Sequence, residues 1–228
     1  MIQMKNVYKK YPNGIVALNG MNVEIDQGEF VYVVGPSGAG KSTFIKMMYR
    51  EERPTSGQMF VDGIDIATLK NSKVPLLRRQ IGVVFQDFKL LPKLNVYENV
   101  AFALEVIEEK PEMIRKRVLK VLDLVGLKHK ARMFPTELSG GEQQRVSIAR
   151  SIVNKPKVVI ADEPTGNLDP ETSWDIMRLF EQINRSGTTI LMATHNREIV
   201  NSMRHRVIAI EGGLIVRDVA GGDYGYEG

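Results

Sequence analysis

The stretch Gly35-Pro36-Ser37-Gly38-Ala39-Gly40-Lys41-Ser42-Thr43 constrains this chain more than any other. It fits the pattern G-x-x-x-x-G-K-[ST] and stands in the context that gives the pattern meaning. The apolar run Phe30 to Val34 precedes it and reads as a buried strand, while Phe44-Ile45-Lys46-Met47-Met48 follows and is compatible with a helix. Glycines at 35, 38 and 40 let successive backbone N–H groups turn toward a phosphate chain, and the start of the helix adds its positive end. Lys41 then reaches the β- and γ-phosphates, and the Ser42 hydroxyl ligates Mg²⁺. The plainer reading, a turn that merely joins strand to helix, is outweighed by the correct flanks. Nucleotide binding is the first expectation.

The charge balance agrees. With 31 Lys+Arg against 27 Asp+Glu the net charge is +4, which suits phosphate-bearing ligands or an anionic membrane surface. It is too mild to argue for nucleic acid, and no basic stripe is interleaved with aromatics. The absence of cysteine excludes disulfides and thiolate metal sites and is compatible with a reducing compartment. No apolar run approaches the roughly 18 residues that span a bilayer, and Met1 to Gly14 has no signal-peptide core. A soluble chain is expected, one whose membrane role needs a partner.

Before the loop, Ile2, Met4 and Val7, then Met21, Val23 and Ile25, alternate with polar residues around turns at Pro12-Asn13-Gly14 and Asp26-Gln27-Gly28. This predicts an antiparallel layer leading into the buried strand. Tyr11, in the first turn, can stack on an adenine ring or be a partly exposed turn tyrosine. After the loop, Asp62-Gly63 between short apolar runs predicts a hairpin. Ile81 to Phe85 reads as a buried strand that delivers Gln86 at its C-terminal end, where α/β sheets place ligands; there it can touch Mg²⁺ and an attacking water, or be only a loop residue.

From Asp87 to Asn154 helical periodicity replaces strands. Asn95 can cap a helix through Val96, Val100, Leu104 and Ile107, and Pro111 fits the first turn of another. The segment ends in Leu138-Ser139-Gly140-Gly141-Glu142-Gln143-Gln144-Arg145. Ser139 and Glu142 form a capping box, a sufficient reason for a helix start, but two glycines inside it cost helix stability. They make sense if bare N–H groups must meet a phosphate, so that one nucleotide is gripped from two sides.

Val158 to Ala161 form an apolar run that ends in Asp162 and Glu163. A carboxylate at the end of a buried strand needs a cation, and Mg²⁺ held by Ser42 is the natural one for Asp162. Glu163 is then free to polarise the water that attacks the γ-phosphate; a surface acidic pair is the weaker reading. Pro170 opens a helix after a tight turn. A further buried strand delivers Thr194 and His195 at the ligand edge; a lone histidine is usually a satisfied structural residue, but one placed there has better odds of touching the γ-phosphate than one elsewhere. Gly212-Gly213 marks a terminal hairpin, and the polar, glycine-rich segment 221–228 is expected to be disordered.

These motifs, in this order, resemble the ABC-type ATPases over nearly the whole chain. Gly35 to Thr43 looks like the family's Walker A, Gln86 its Q-loop, Leu138 to Arg145 its signature, Val158 to Glu163 its Walker B, Gly166 to Asp169 its D-loop, His195 its switch histidine, and Tyr11 its adenine-stacking aromatic. The resemblance implies an α/β P-loop NTPase of ABC type: a mixed core sheet with flanking helices, an antiparallel β layer and an inserted helical subdomain. Residues 1–86 and 155–220 would form the catalytic core and 87–154 the helical subdomain. It further implies ATP and Mg²⁺ as ligands, with Ser42, Gln86 and Asp162 on the metal. It also implies a head-to-tail homodimer in which Ser139, Gly140, Gly141, Gln143 and Asp169 of one chain face ATP on the other. Finer stretches, Tyr49 to Thr55, Leu77 to Pro92 and Val96 to Phe102, resemble the family's cell-division branch, with Lys93-Leu94-Asn95 replacing the usual threonine before Val96. This implies an ATPase held at the cytoplasmic face of the membrane, at the division site, by an FtsX-like integral membrane protein, controlling peptidoglycan hydrolases. ATPases of lipoprotein release and macrolide export share parts of these stretches, and a third class is an ATP-gated interaction module with little turnover.

Overall fold

A computed structural model describes residues 1–225. In chain order the elements are β1 (Ile2–Lys10), β2 (Val16–Ile25), β3 (Phe30–Val34), α1 (Lys41–Met48), β4 (Ser56–Val61), β5 (Ile64–Asp65), α2 (Val74–Arg78), β6 (Ile81–Phe85), α3 (Val96–Glu105), α4 (Pro111–Leu124), α5 (Gly140–Ile152), β7 (Val158–Asp162), α6 (Pro170–Arg185), β8 (Thr189–Ala193), α7 (Arg197–Met203), β9 (Arg206–Glu211) and β10 (Leu214–Val219). They fall into two compact units, residues 1–78 with 189 onward, and Arg79–Thr188.

The first unit holds the expected antiparallel layer, strands in the order β2-β1-β4-β5. Ile2 pairs with Ile25 and Val61, and Met4 with Val23 and Met59, so the apolar side chains of three strands share one face. The register of β1 shifts after Met4, where Asn6 takes a left-handed backbone. That irregularity explains why the buried series runs Ile2, Met4, Val7 rather than keeping strict alternation. The unit's other strands are β10-β9-β3-β8, with β3 parallel to both β8 and β9 and β10 antiparallel to β9. All five residues of β3 and of β8 are buried, the continuous apolar pattern of strands covered on both faces.

The C-terminal expectation is corrected for residues 221–225. The Gly222 N–H donates to the His205 carbonyl (3.1 Å), the Tyr224 N–H donates to Asn201 Oδ1 (2.7 Å), and Asp223 pairs with Arg217 at 2.9 Å. The Tyr224 ring is buried, with the Arg197 guanidinium 5.3 Å from its centre. Composition suggested disorder, but one aromatic anchor and a few backbone bonds suffice to order a short polar segment. Residues 226–228 lie outside the described residues.

In the second unit β6 and β7 run parallel, from Ile81 opposite Val158 to Phe85 opposite Asp162. α3 begins at Asn95, whose side chain accepts the Glu98 N–H while Glu98 returns the bond, a complete capping box. The helix stops at Glu105, short of the expected Ile107. α4 starts on Pro111, whose missing N–H is no loss in a first turn. α5 packs against α3, α4, α6 and β6. β6, β7 and α6 lie with α5 in the compact unit Arg79–Thr188. α6 buries Ser173, Ile176, Met177, Phe180 and Ile183, one stripe at helical spacing. Each fully buried large apolar side chain of this kind contributes roughly 1.5–3 kcal/mol.

Candidate functional site

The first unit builds a phosphate loop on the end of β3. Gly35 and Gly40 have φ of 144° and 109°, and a Cβ on them would lie 2.1 Å from the Ile210 carbonyl oxygen and 2.4 Å from that of Ala17. No other residue fits there: the loop is wedged against neighbouring backbone, and glycine alone tolerates both the space and the dihedral. The Lys41 ammonium folds over the loop, donating to the carbonyls of Gly35 (2.7 Å) and Pro36 (3.0 Å), while Ser42 is exposed on the first turn of α1. Ala39 is buried and donates its N–H to the Pro36 carbonyl, closing the turn. Pro36, Ser37 and Gly38 form the exposed crest.

Two more expected residues belong to this unit. The Tyr11 hydroxyl lies 3.2 Å from Thr43 Oγ1, tying the aromatic turn to the last residue of the loop motif, and Lys9 Nζ sits 4.9 Å from the Tyr11 ring centre. His195 follows β8, whose parallel pairing with β3 puts Ala193 opposite Val33, and the Thr194 N–H donates to the Val33 carbonyl. The strand leading to the loop and the strand leading to His195 therefore end side by side, at the edge where parallel sheets bind ligands.

The second unit repeats that logic. Because Phe85 is in register with Asp162, Gln86 and Glu163 leave adjacent strand ends. Gln86 Nε2 donates to Asn167 Oδ1 and Asn167 Nδ2 donates to the Gln86 carbonyl, both at 3.2 Å. Glu163 has φ of 49° and stands before a proline, a position proline steers toward extended backbone. Such a conformation costs on the order of 1–3 kcal/mol and concentrates at working sites. Asp162 and Glu163 are half-buried.

The helix-start motif forms as expected. Ser139 accepts the Glu142 N–H (3.3 Å), and Glu142 accepts the Ser139 N–H (3.0 Å) and Lys130 Nζ (2.5 Å). The hydrogen bond from Lys130 holds the Glu142 carboxyl below the ordinary glutamate range. Gly140 and Gly141 supply the first N–H groups of α5, donors that a helix leaves without partners of its own. Gly141 has a second reason to be glycine, since a Cβ would lie 2.4 Å from Thr172 Cγ2 on α6. Gln143 Nε2 donates to the Leu138 carbonyl (3.2 Å). Asp169 caps α6 by accepting the Thr172 N–H (2.9 Å), and its bonds to Thr172 lower its pKa.

Ser42, Gln86 and Asp162 offer hydroxyl, amide and carboxylate oxygens, the hard donors that Mg²⁺ prefers in company with phosphate. No cluster of three or more His, Cys, Asp and Glu residues capable of holding a metal occurs among the described residues. The sequence reading passed over three buried or half-buried polar side chains. Gln144, on α5, donates to the Pro164 carbonyl; Arg150 donates to the Phe88 and Lys89 carbonyls; Asn99 bonds the Leu91, Leu94 and Asn95 backbone. The signal for Gln144 was present, a polar residue on the i, i+4 line that continues through Ile148 and Ile152.

Comparison with known proteins gives the family. The family model described as ABC transporter matches residues 18–166. The cell division ATP-binding protein FtsE of Bacillus subtilis is 72% identical over 225 residues, covering 99% of each chain. That of Mycobacterium tuberculosis is 55% identical across 100% of this chain and 99% of its own length, and that of Escherichia coli 49% identical across 93% and 96%. Among solved structures, the ATP-binding cassette MJ0796, dimeric in a post-hydrolysis state with ADP and Pi, superposes with a TM-score of 0.87 at 37% identity, over 97% of this chain and 99% of that one. No described helix is long and apolar enough to cross a membrane. By the family model matched over residues 18–166 and by relatives 49–72% identical over nearly the whole chain, the chain belongs to the ABC transporter ATPase family, among the cell division ATP-binding proteins named FtsE.

Proposed function

We propose that this chain binds and hydrolyses ATP as the engine of a membrane-bound cell-division complex, working as a homodimer at the cytoplasmic face through an FtsX-like integral membrane partner. The observation that carries the hydrolytic part is Glu163, a carboxylate in costly backbone geometry that follows Asp162 at a strand end, where Asp162 is in register with Phe85, the residue before Gln86. The relatives' shared name supports the cell-division role, and the dimeric cassette of 37% identity supports pairing.

Phosphoryl transfer asks a protein mainly for positioning and electrostatic stabilisation. Loop amides from Gly35 to Thr43 cradle the phosphates, Lys41 exchanges its carbonyl bonds for the β- and γ-phosphate oxygens, and Tyr11 stacks on the adenine. Mg²⁺ held by Ser42, Gln86 and Asp162 would neutralise charge between the β- and γ-phosphates. Glu163 takes the proton of the attacking water, and His195 donates a hydrogen bond to the γ-phosphate. Ser139, Gly140, Gly141, Gln143 and Asp169 meet the nucleotide of the other protomer, so ATP joins two chains and its hydrolysis releases them.

Glu163→Gln tests the scheme, because it keeps the shape and removes the base. We expect kcat to fall at least about 100-fold, ATP to drive a stable dimer seen by light scattering, and complementation of division to fail. Retained division with no turnover would instead establish an ATP-gated module.

A further inference from the structure

We infer that Gln144 is a positioning residue for hydrolysis: its buried amide fixes the turn that carries Glu163. The inference rests on the reading of Glu163 as the base.

Gln144 lies in the second turn of α5, near the end of the stretch Leu138 to Arg145, and none of its surface is exposed. Its Nε2 donates to the Pro164 carbonyl at 2.6 Å, a bond buried at both ends, and Pro164 is the residue next to Glu163. Its other amide atom, Oε1, is buried without a hydrogen-bond partner. A residue present only to fill space would be apolar, since an amide with one unsatisfied end destabilises the fold where leucine or methionine would not. What a hydrocarbon cannot supply is the donor aimed at Pro164. The amide's orientation is also determined, because the opposite flip would set oxygen against the carbonyl.

The turn it holds needs holding. Glu163 sits at φ of 49° before a proline, and its carbonyl accepts the Gly166 N–H (3.1 Å) as the chain reverses. A positive φ is costly in a glutamate, and more so before proline, so the surrounding structure must hold it. Gln144 imposes it from α5, and the same helix begins with Ser139, Gly140 and Gly141. One rigid helix thus joins the residues proposed to face the second protomer's nucleotide to the turn that aims the base.

Gln144→Met keeps length and volume but removes the donor. In steady-state ATPase assays of the full chain we expect kcat to fall roughly 10- to 100-fold with KM for ATP within about twofold of the parent. The thermal midpoint should be kept, and ATP should now accumulate the dimer. A kcat within about threefold of the parent overturns the inference. Should the methionine variant fold poorly, Gln144→Glu decides: protonated, its O–H can donate to Pro164, whereas its carboxylate cannot. Its kcat relative to the parent must then rise as pH is lowered from 8 to 6, and a flat ratio overturns the inference. Glu163→Gln, run alongside, separates the two ideas. If it is inactive while Gln144→Met is fully active, only the role of Gln144 falls; if it still turns over, the base assignment falls and takes this inference with it.

Discussion

Glu142 ties a titration to a helix start. It accepts both the Ser139 N–H and the Lys130 ammonium, so its carboxyl loses its proton more readily folded than unfolded. As pH falls, the unfolded chain takes up that proton first, near the ordinary glutamate value of about 4.3. The stabilisation is therefore complete above that value and is lost as pH drops through the lower folded pKa. Relative to Glu142→Gln, the parent should be more stable by ~1 kcal/mol between pH 7 and 5, with the gap closing below about pH 4; denaturant unfolding across that range measures it. Gly141 makes a steric prediction. Gly141→Ala puts a methyl into Thr172 Cγ2 and should cost about 1–3 kcal/mol. Adding Thr172→Ala, which deletes that methyl, should restore most of the thermal midpoint; a simple sum of two losses would count against direct contact.

The elements show how buried polar groups shape irregular chain. Phe88 and Lys89 both have left-handed backbone, with φ of 58° and 49°. Arg150 at the far end of α5 donates to both their carbonyls, at 3.1 and 2.8 Å, and burial lowers its pKa. A few residues on, the fully buried Asn99 of α3 accepts the Leu91 N–H and donates to the carbonyls of Leu91, Leu94 and Asn95. These two side chains do for the segment from Phe88 to Asn95 what a ladder does for a strand. Asn99→Leu should cost about 2–3 kcal/mol by orphaning several backbone groups. Hydrogen exchange should quicken at residues 91–95 while β6 and β7 keep their protection. Uniform loss of protection would mean that Asn99 supports the unit as a whole.

For the molecule as a whole, ATP binding and partner binding should be separable. Leu90 and Leu91 are half-buried in the segment organised by Arg150 and Asn99, the surface on which the proposed membrane partner would dock. Leu90→Glu or Leu91→Glu should abolish co-purification of the integral membrane partner from solubilised membranes while leaving ATP affinity unchanged. Recovery of the same partner with both variants would place the docking surface elsewhere. The identity of the recovered protein matters equally, since a dedicated permease would keep every catalytic role and replace cell division with transport.

The sequence by itself determined the local chemistry. Loop, hairpin and capping rules act over a few residues, so Gly35 to Thr43, Asp62-Gly63, the Asn95 and Ser139 caps and the buried strands could all be read directly. Motif order supplied the family, because spacing along the chain needs no folding to be seen. Tertiary structure decided what depends on groups distant in sequence. It matched Phe85 with Asp162 and Val33 with Ala193, packed Gly141 against Thr172, and anchored Tyr224 on α7. It also assigned Gln144, Arg150 and Asn99 to the carbonyls they hold. A hydrogen-bond donor looks the same in the sequence whether it meets water or a buried backbone oxygen; only packing, which removes the water, makes that partner obligatory.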